Sequence, residues 1–333
     1  SYTPGLLKLM CEAAAVDGSY EEAEQTLRVF AGVRTPSAQI RKVVQQVAPA
    51  LAAWAPQREA AGEKARGCTM YISYDGTGVP MRKEETQGRK GKQSDGTAVT
   101  REVKLGCVFT CRGLDEEGHP LRDPDSTTYV ASFEPAGEFG ARIRSEALRR
   151  GAGTARRLAV IGDGAAWIWK LAEVNFPHAR QILDFYHACE HLEVLAQSLF
   201  PASPEKVRER FRQWRRWMKN DRIDKVLAEA GRSLPHHGPR RDTAQREINY
   251  FGTNRDRVRY ATFLSEGYFI GSGVVEAGCK SVVGKRTKQS GMFWRVLGAQ
   301  HILDVRCAVL GGIYSDYWAH RRRCEIEQMG VAA

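Results

Sequence analysis

Two short apolar runs constrain this chain more than any other feature. Cys68–Tyr74 (CTMYISY) runs into Asp75-Gly76, and Arg157–Ile161 (RLAVI) runs through Gly162 into Asp163-Gly164. Both read as strands, and each delivers an acid followed by glycine at its end. Arg101–Cys111 alternates and then turns apolar, as a further strand would; Tyr129–Phe133 is a weaker strand and Ala179–Leu183 a short one. Helical patterns cover Gly137–Arg150, Ala165–Val174 and Tyr186–Leu199. Strands first, then strand and helix in alternation, predict an α/β domain built on a mixed sheet. Residues 86–98 are polar and rich in Gly and Lys, and read as a hairpin loop or mobile flap.

The flanking regions lack strand texture. Residues 5–60 read as helices. Glu21–Phe30 and Ala38–Val47 are separated by Gly32, Thr35 and Pro36, with Ser37 placed as an N-cap. This punctuation fits a helix-turn-helix whose second helix carries Gln39, Arg41, Lys42 and Gln45, and it fits a plain helical hairpin equally well. Residues 203–265 are helical and basic. In Pro204–Arg222 an apolar face (Val207, Phe211, Trp214, Met218) runs beside a basic stripe (Arg208, Arg212, Arg215, Lys219, Arg222), so one face packs while the other meets solvent or phosphate. Gly271–Gly284 opens with glycines and continues as a helix, and Trp294–Leu310 is a mostly apolar helix. These textures divide the chain into 1–64, 65–200, 201–266 and 267–333.

Net charge is +11 over 333 residues. Residues 1–200 hold 25 Lys/Arg and 25 Asp/Glu, whereas residues 201–333 hold 25 against 14, so the whole excess lies in the last third. A localised basic surface fits a polyanionic partner, nucleic acid first among them, and fits a solvated basic face equally well. No stretch approaches the ~18 apolar residues that a membrane-crossing helix needs. The eight cysteines show no CxxC pair and no zinc-finger spacing, and read as reduced thiols; Cys107 and Cys111 share one strand face as core residues. A cytoplasmic, nucleoid-associated location is the expectation.

The chemistry concentrates on three acids. Asp75 and Asp163 stand at strand ends beside glycines that permit close approach. Glu276 is the only carboxylate between Ser272 and Leu303, in the first turns of a helix of small residues. A charge on so apolar an element needs a partner. Three carboxylates suit hard cations, and two Mg²⁺ or Mn²⁺ ions about 3.5–4 Å apart clamp the attacking and leaving oxygens of a phosphodiester displacement. Lys280, Lys285, Arg286, Lys288 and Arg295 follow Glu276 and are placed to neutralise phosphates. Trp217 and Trp294 read as packing residues before base-stacking ones. His187 and His191 lie one helical turn apart, but HACEH is not the HExxH zinc motif.

The strings YISYDGTGVP, VIGDGAAWIW, DFYHACEHL, GSGVVEAGCK and SGMFWRVLGAQHIL resemble bacterial insertion-sequence transposases of the ISKra type, within the DDE class. The resemblance spans roughly residues 65–320. It implies an RNase H-like mixed sheet flanked by helices and interrupted by an all-helical insertion, and the N-terminal helix-turn-helix-like region is compatible with that family's upstream segment. It implies a triad of Asp75, Asp163 and Glu276 holding two Mg²⁺ or Mn²⁺ ions, with Asp75 bridging them. His187 matches a histidine that follows the second aspartate in related transposases. The implied partners are double-stranded DNA, both transposon terminal inverted repeats and target, and a second copy of the chain. Arg208, Arg212, Arg215, Lys219, Lys280, Lys285, Arg286 and Lys288 are the candidate DNA contacts. A non-transposing nuclease on the same core, and a transposon-derived DNA-binding protein without catalysis, are the alternatives.

Overall fold

The computed structural model describes residues 2–59, 65–91 and 93–330. The junction expected at residues 60–64, Lys92 within the expected flap, and residues 1 and 331–333 lie outside the described residues.

A six-stranded mixed sheet carries the chain. Strand β1 (Thr69–Pro80) is central. It pairs antiparallel with β2 (Thr100–Leu114) and parallel with β5 (Arg157–Gly162), which pairs parallel with β6 (Arg180–Leu183). The short β3 (Pro120–Arg122) and β4 (Thr128–Ser132) both pair antiparallel with β2, along successive stretches of its outer edge. The order is β3-β2-β1-β5-β6, with β4 also beside β2, which makes the sheet mixed as expected. β3 was not expected from the sequence.

β1 does not end at Asp75. Its pairing with β2 continues to Pro80↔Thr100, whereas its pairing with β5 stops at Ser73↔Ile161. Asp75 therefore stands where the parallel ladder ends and the hairpin arm continues. Gly76 and Gly78 are not turn residues. A Cβ on Gly76 would lie 2.5 Å from the end of the Glu102 side chain, and one on Gly78 3.0 Å from Thr100 Oγ1.

Alternation along β1 sorts the two faces. Tyr74 turns to the face covered by α5 (Ala136–Arg149) and α6 (Ala166–Asn175), where its ring meets Phe139 and Trp167. Tyr71 and Asp75 turn to the other face. Tyr71 stacks on Phe109 at 5.0 Å and meets Phe269, on the segment leading into α12 (Gly273–Gly278). Gly278 seats α12 tightly there: a Cβ on it would lie 3.0 Å from Leu105, the cross-strand partner of Asp75.

After α7 (Phe185–Leu199) come four helices, α8 (Pro204–Lys219), α9 (Ile223–Arg232), α10 (Pro239–Thr253) and α11 (Tyr260–Ser265), before the chain returns at α12. Asp221, at φ 57°, turns the chain between α8 and α9, and its carboxylate accepts the Ala261 and Thr262 amides at 2.8 and 3.0 Å at the start of α11. Trp214 of α8 is wholly buried and donates to Glu229 of α9 at 3.1 Å.

A π-helical stretch (Cys279–Gly284) and the short α13 (Lys285–Thr287) follow α12. Then α14 (Val296–Leu310) serves two cores. Ala299, Leu303 and Cys307 join the sheet core, while Ile302, Val305 and Ala308 join a second core. That second core holds α1 (Pro4–Val16), α2 (Tyr20–Ala31), α3 (Ser37–Trp54) and the start of α15 (Tyr314–Gly330). Residues before 60 thus pack around C-terminal helices rather than closing a core alone. Ser37 is not the N-cap of α3: it is the first helical residue, and its amide is taken by Glu24 at 2.7 Å. Arg41, Lys42 and Gln45 of α3 are exposed, and Gln39 is half-buried.

Candidate active site and basic surface

The parallel ladder of β1 and β5 carries the first two acids to the same end of the sheet. Its last pair is Ser73 with Ile161, and Asp75 and Asp163 each follow two residues beyond it. Each acid already spends one oxygen locally. Asp75 Oδ1 accepts the Gly76 amide at 2.7 Å, and Asp163 Oδ1 accepts the Ala165 amide at 2.9 Å.

Glu276 reaches the same face from α12. The connection to the sheet runs through Asp184, a fully buried carboxylate at the end of β6 that sequence reasoning did not single out. Its amide donates to Gly162 O at 2.8 Å, one residue before Asp163. Its Oδ1 accepts the His187 amide at 2.8 Å, capping α7, and its Oδ2 accepts the Ser272 amide that opens α12. One buried anion therefore ties the strand bearing Asp163, the helix bearing His187 and the helix bearing Glu276. The available sequence signal was an aspartate between a strand and a helix, the usual N-cap position.

His187 bridges further. Its Nε2 lies 4.0 Å from Glu276 Oε1 and its Nδ1 3.1 Å from Glu190. His191 faces other partners: Nδ1 lies 2.5 Å from Glu247, and the ring stacks on Tyr250. The two histidines do not converge on one point. Cys279, one turn beyond Glu276, packs beside Asp75, and burial together with that carboxylate drives its thiol well above the ordinary range, so it stays protonated. Burial likewise pushes the Cys107 thiol up to about 12.

The donor set is all carboxylate, as Mg²⁺ or Mn²⁺ prefers. Among the described residues no three His, Cys, Asp or Glu side chains are drawn together closely enough to hold a metal ion. Asp75, Asp163 and Glu276 share one face and one end of the sheet but are not a closed cage.

The expected DNA contacts divide sharply. Arg208, Arg212, Arg215, Lys219 and Arg222 are all exposed along α8 and just past its end. Arg215 lies 5.5 Å over the Phe185 ring of α7, so the stripe begins beside the helix carrying His187. Lys280, Lys285 and Lys288 are exposed too, and Lys288 Nζ donates to Thr77 Oγ1 at 2.5 Å, two residues past Asp75 on the same strand face. Arg295 is exposed near Glu84 at 3.9 Å.

Arg286 is a correction. It is fully buried, its Nε donates to Ala14 O at 2.8 Å, and its guanidinium lies over Tyr20 at 4.5 Å and Trp294 at 5.2 Å. It cannot meet DNA without unfolding the second core. Arg306, also buried, donates to Ala15 O and to Ser281 O. Two cations thus close the C-terminus of α1, where carbonyls lack helical partners and the dipole favours positive charge. Trp294 covers Arg286 and donates to Thr287 O at 3.1 Å, and Trp217 packs against the sheet core, so both act in packing.

No family model and no curated protein matches the chain. Among solved structures, one chain of a Drosophila P element transposase strand transfer complex is similar at 10% identity, over 95% of this chain and 80% of that one, with a TM-score of 0.33.

Proposed function

We propose that this chain is a DNA transposase of the DDE class that cuts at transposon ends and joins the 3′-OH ends to target DNA. The observation that carries the reading is the set of hydrogen bonds through Asp184, which ties the strand end before Asp163 to the helix bearing Glu276, while the ladder of β1 and β5 brings Asp75 and Asp163 to the same end of the sheet. The ordered motifs around those acids support the narrower reading of an insertion-sequence transposase of the ISKra type.

Asp75, Asp163 and Glu276 would hold two Mg²⁺ or Mn²⁺ ions. Bound there, such ions activate the attacking oxygen and stabilise the leaving one. The chain's own groups do the rest. Asp184 fixes α7 and α12 relative to the strand end. His187 stands within reach of Glu276 and of a phosphate at the site. Lys288, beside Thr77, offers a cation to the backbone of DNA entering over β1. The exposed stripe of α8 neutralises phosphates farther along the duplex, which gives affinity and register without choosing sequence. Two ends must be brought together, so a second copy of the chain is part of the proposal.

The test is cleavage and joining of labelled transposon-end DNA by the wild-type chain and Glu276→Gln, with Mg²⁺, Mn²⁺ or EDTA. The expected result is metal-dependent cleavage and strand transfer, lowered at least about 100-fold in the variant, with duplex binding retained. Cleavage without joining would replace this reading with a nuclease. Binding without chemistry in any metal would replace it with a DNA-binding protein.

A further inference from the structure

Asp163 stands one residue beyond the last strand pair of β5, so no ladder hydrogen bond holds its peptide. Its carboxylate is tied locally to the Ala165 amide, but its backbone carbonyl needs a donor from elsewhere. That donor is Tyr250, on α10 of the helical segment, whose hydroxyl meets Asp163 O at 2.8 Å.

The surroundings of Tyr250 are built for this contact. Gly164, at φ +99°, carries the turn, and a Cβ there would lie 2.5 Å from the Tyr250 hydroxyl oxygen and 2.7 Å from its ring. Glycine at 164 therefore answers both the backbone conformation and the incoming ring. On the other side, the His191 ring stacks on Tyr250 with centroids 3.7 Å apart and planes 19° from parallel. His191 is itself held by Glu247, one turn before Tyr250 on α10. Glu247 and Tyr250 thus grip α7 together, while His187, one turn from His191 on that helix, approaches Glu276. Burial drives the phenol well above its ordinary range, so the hydroxyl keeps the proton it donates.

We propose that Tyr250 is a positioning residue for Asp163: through it the helical segment between β6 and α12 sets the turn that presents this carboxylate, with His191 and Glu247 locking the ring. The segment then both offers a basic face and completes the candidate site. This rests on the reading of Asp75, Asp163 and Glu276 as the metal-holding set. A group acting only on the fold would change stability. A positioning group changes how well Asp163 meets a cation while leaving the basic stripe untouched.

The experiment uses the full chain and four proteins: wild type, Tyr250→Phe, Glu247→Gln and Asp163→Asn. Mn²⁺ affinity is read by calorimetry, duplex affinity by fluorescence anisotropy, and the Mn²⁺ concentration for half-maximal cleavage by gel assay. Tyr250→Phe keeps the stacked ring and loses only the hydroxyl. Its Mn²⁺ affinity should fall about 10-fold. The half-maximal Mn²⁺ concentration should rise to match, cleavage should recover at saturating Mn²⁺, and duplex affinity should hold. Glu247→Gln, farther from the turn, should shift the same readings in the same direction by about 3-fold. The proposal is overturned if Tyr250→Phe leaves Mn²⁺ affinity and metal dependence unchanged while Asp163→Asn abolishes both. If Asp163→Asn itself leaves Mn²⁺ affinity unchanged, the metal-site reading falls, and this inference with it.

Discussion

The stripe on α8 and the pair Arg286 and Arg306 belong to the same charge excess, yet they meet opposite fates. Arg208, Arg212, Arg215 and Lys219 line the solvent face of their helix. Arg286 and Arg306 are buried against the last carbonyls of α1. Helix phase separates them. In α8 the cations stand one position beyond the inward residues Val207, Phe211, Trp214 and Met218. In the other segment Arg286 occupies the inward phase itself, in line with Cys279, Val282 and Val283. Charge counted along a sequence is therefore not surface charge: the neighbours at three- and four-residue spacing decide which arginine can reach a phosphate.

The largest effect that could break this contrast is on stability. Arg286→Ala should destabilise the fold by about 3 kcal/mol, because it empties a filled site and strips the end of α1 of a donor. In denaturant titration the midpoint should drop, while the salt dependence of DNA binding stays as in wild type. A variant that folds normally and binds DNA more weakly would place Arg286 with the stripe instead.

Charge reversal at Arg208, Arg212 and Arg215 should do the converse. Duplex affinity should fall at least about 100-fold, and the slope of log K against log salt should flatten by about 2.7 if each cation meets one phosphate. Thermal stability should move by no more than about 3 °C, since exposed charges contribute little to it. Unchanged binding would remove α8 from the interface.

A smaller effect sharpens the buried side of the contrast. Asp304, on the same helix as Arg306, has its carboxyl pushed up to about 7 by burial, against the lowering influence of Gln300 and Arg142. The folded chain then holds a proton between about pH 4 and pH 7 that the unfolded chain has released. Stability from this group is full at the acid end of that window and is lost as pH rises through about 7. Asp304→Asn should raise the thermal midpoint by a few degrees near about pH 8 and change it little near about pH 4. A uniform shift at both would contradict the assignment.

Much of the core was legible because period-two and helical patterning are local properties. The runs before Asp75 and Asp163 read correctly as strands, and the helices from α5 to α8 fall within a few residues of their expected spans. What was not legible depends on partners far along the chain. The continuation of β1 through Gly76 and Gly78 is set by its pairing with β2 as far as Thr100, and looks like a turn in isolation. The joining of α1–α3 to α14 follows from a helix that is apolar on two faces, and no sequence position announces its second partner. For the candidate site, the acids could be named, but the buried Asp184 that connects two of their elements emerges only once the amides of His187 and Ser272 are seen to converge on it.

We propose that Asp75, Asp163 and Glu276 form one cation-holding unit at the end of the sheet. Calorimetric Mn²⁺ titration of the wild-type chain and of Asp75→Asn, Asp163→Asn and Glu276→Gln tests it most directly. The account predicts saturable binding in the wild type, weakened at least about 10-fold by each substitution alone, with duplex affinity retained in all four proteins. Equal Mn²⁺ affinity in the wild type and all three variants would contradict it.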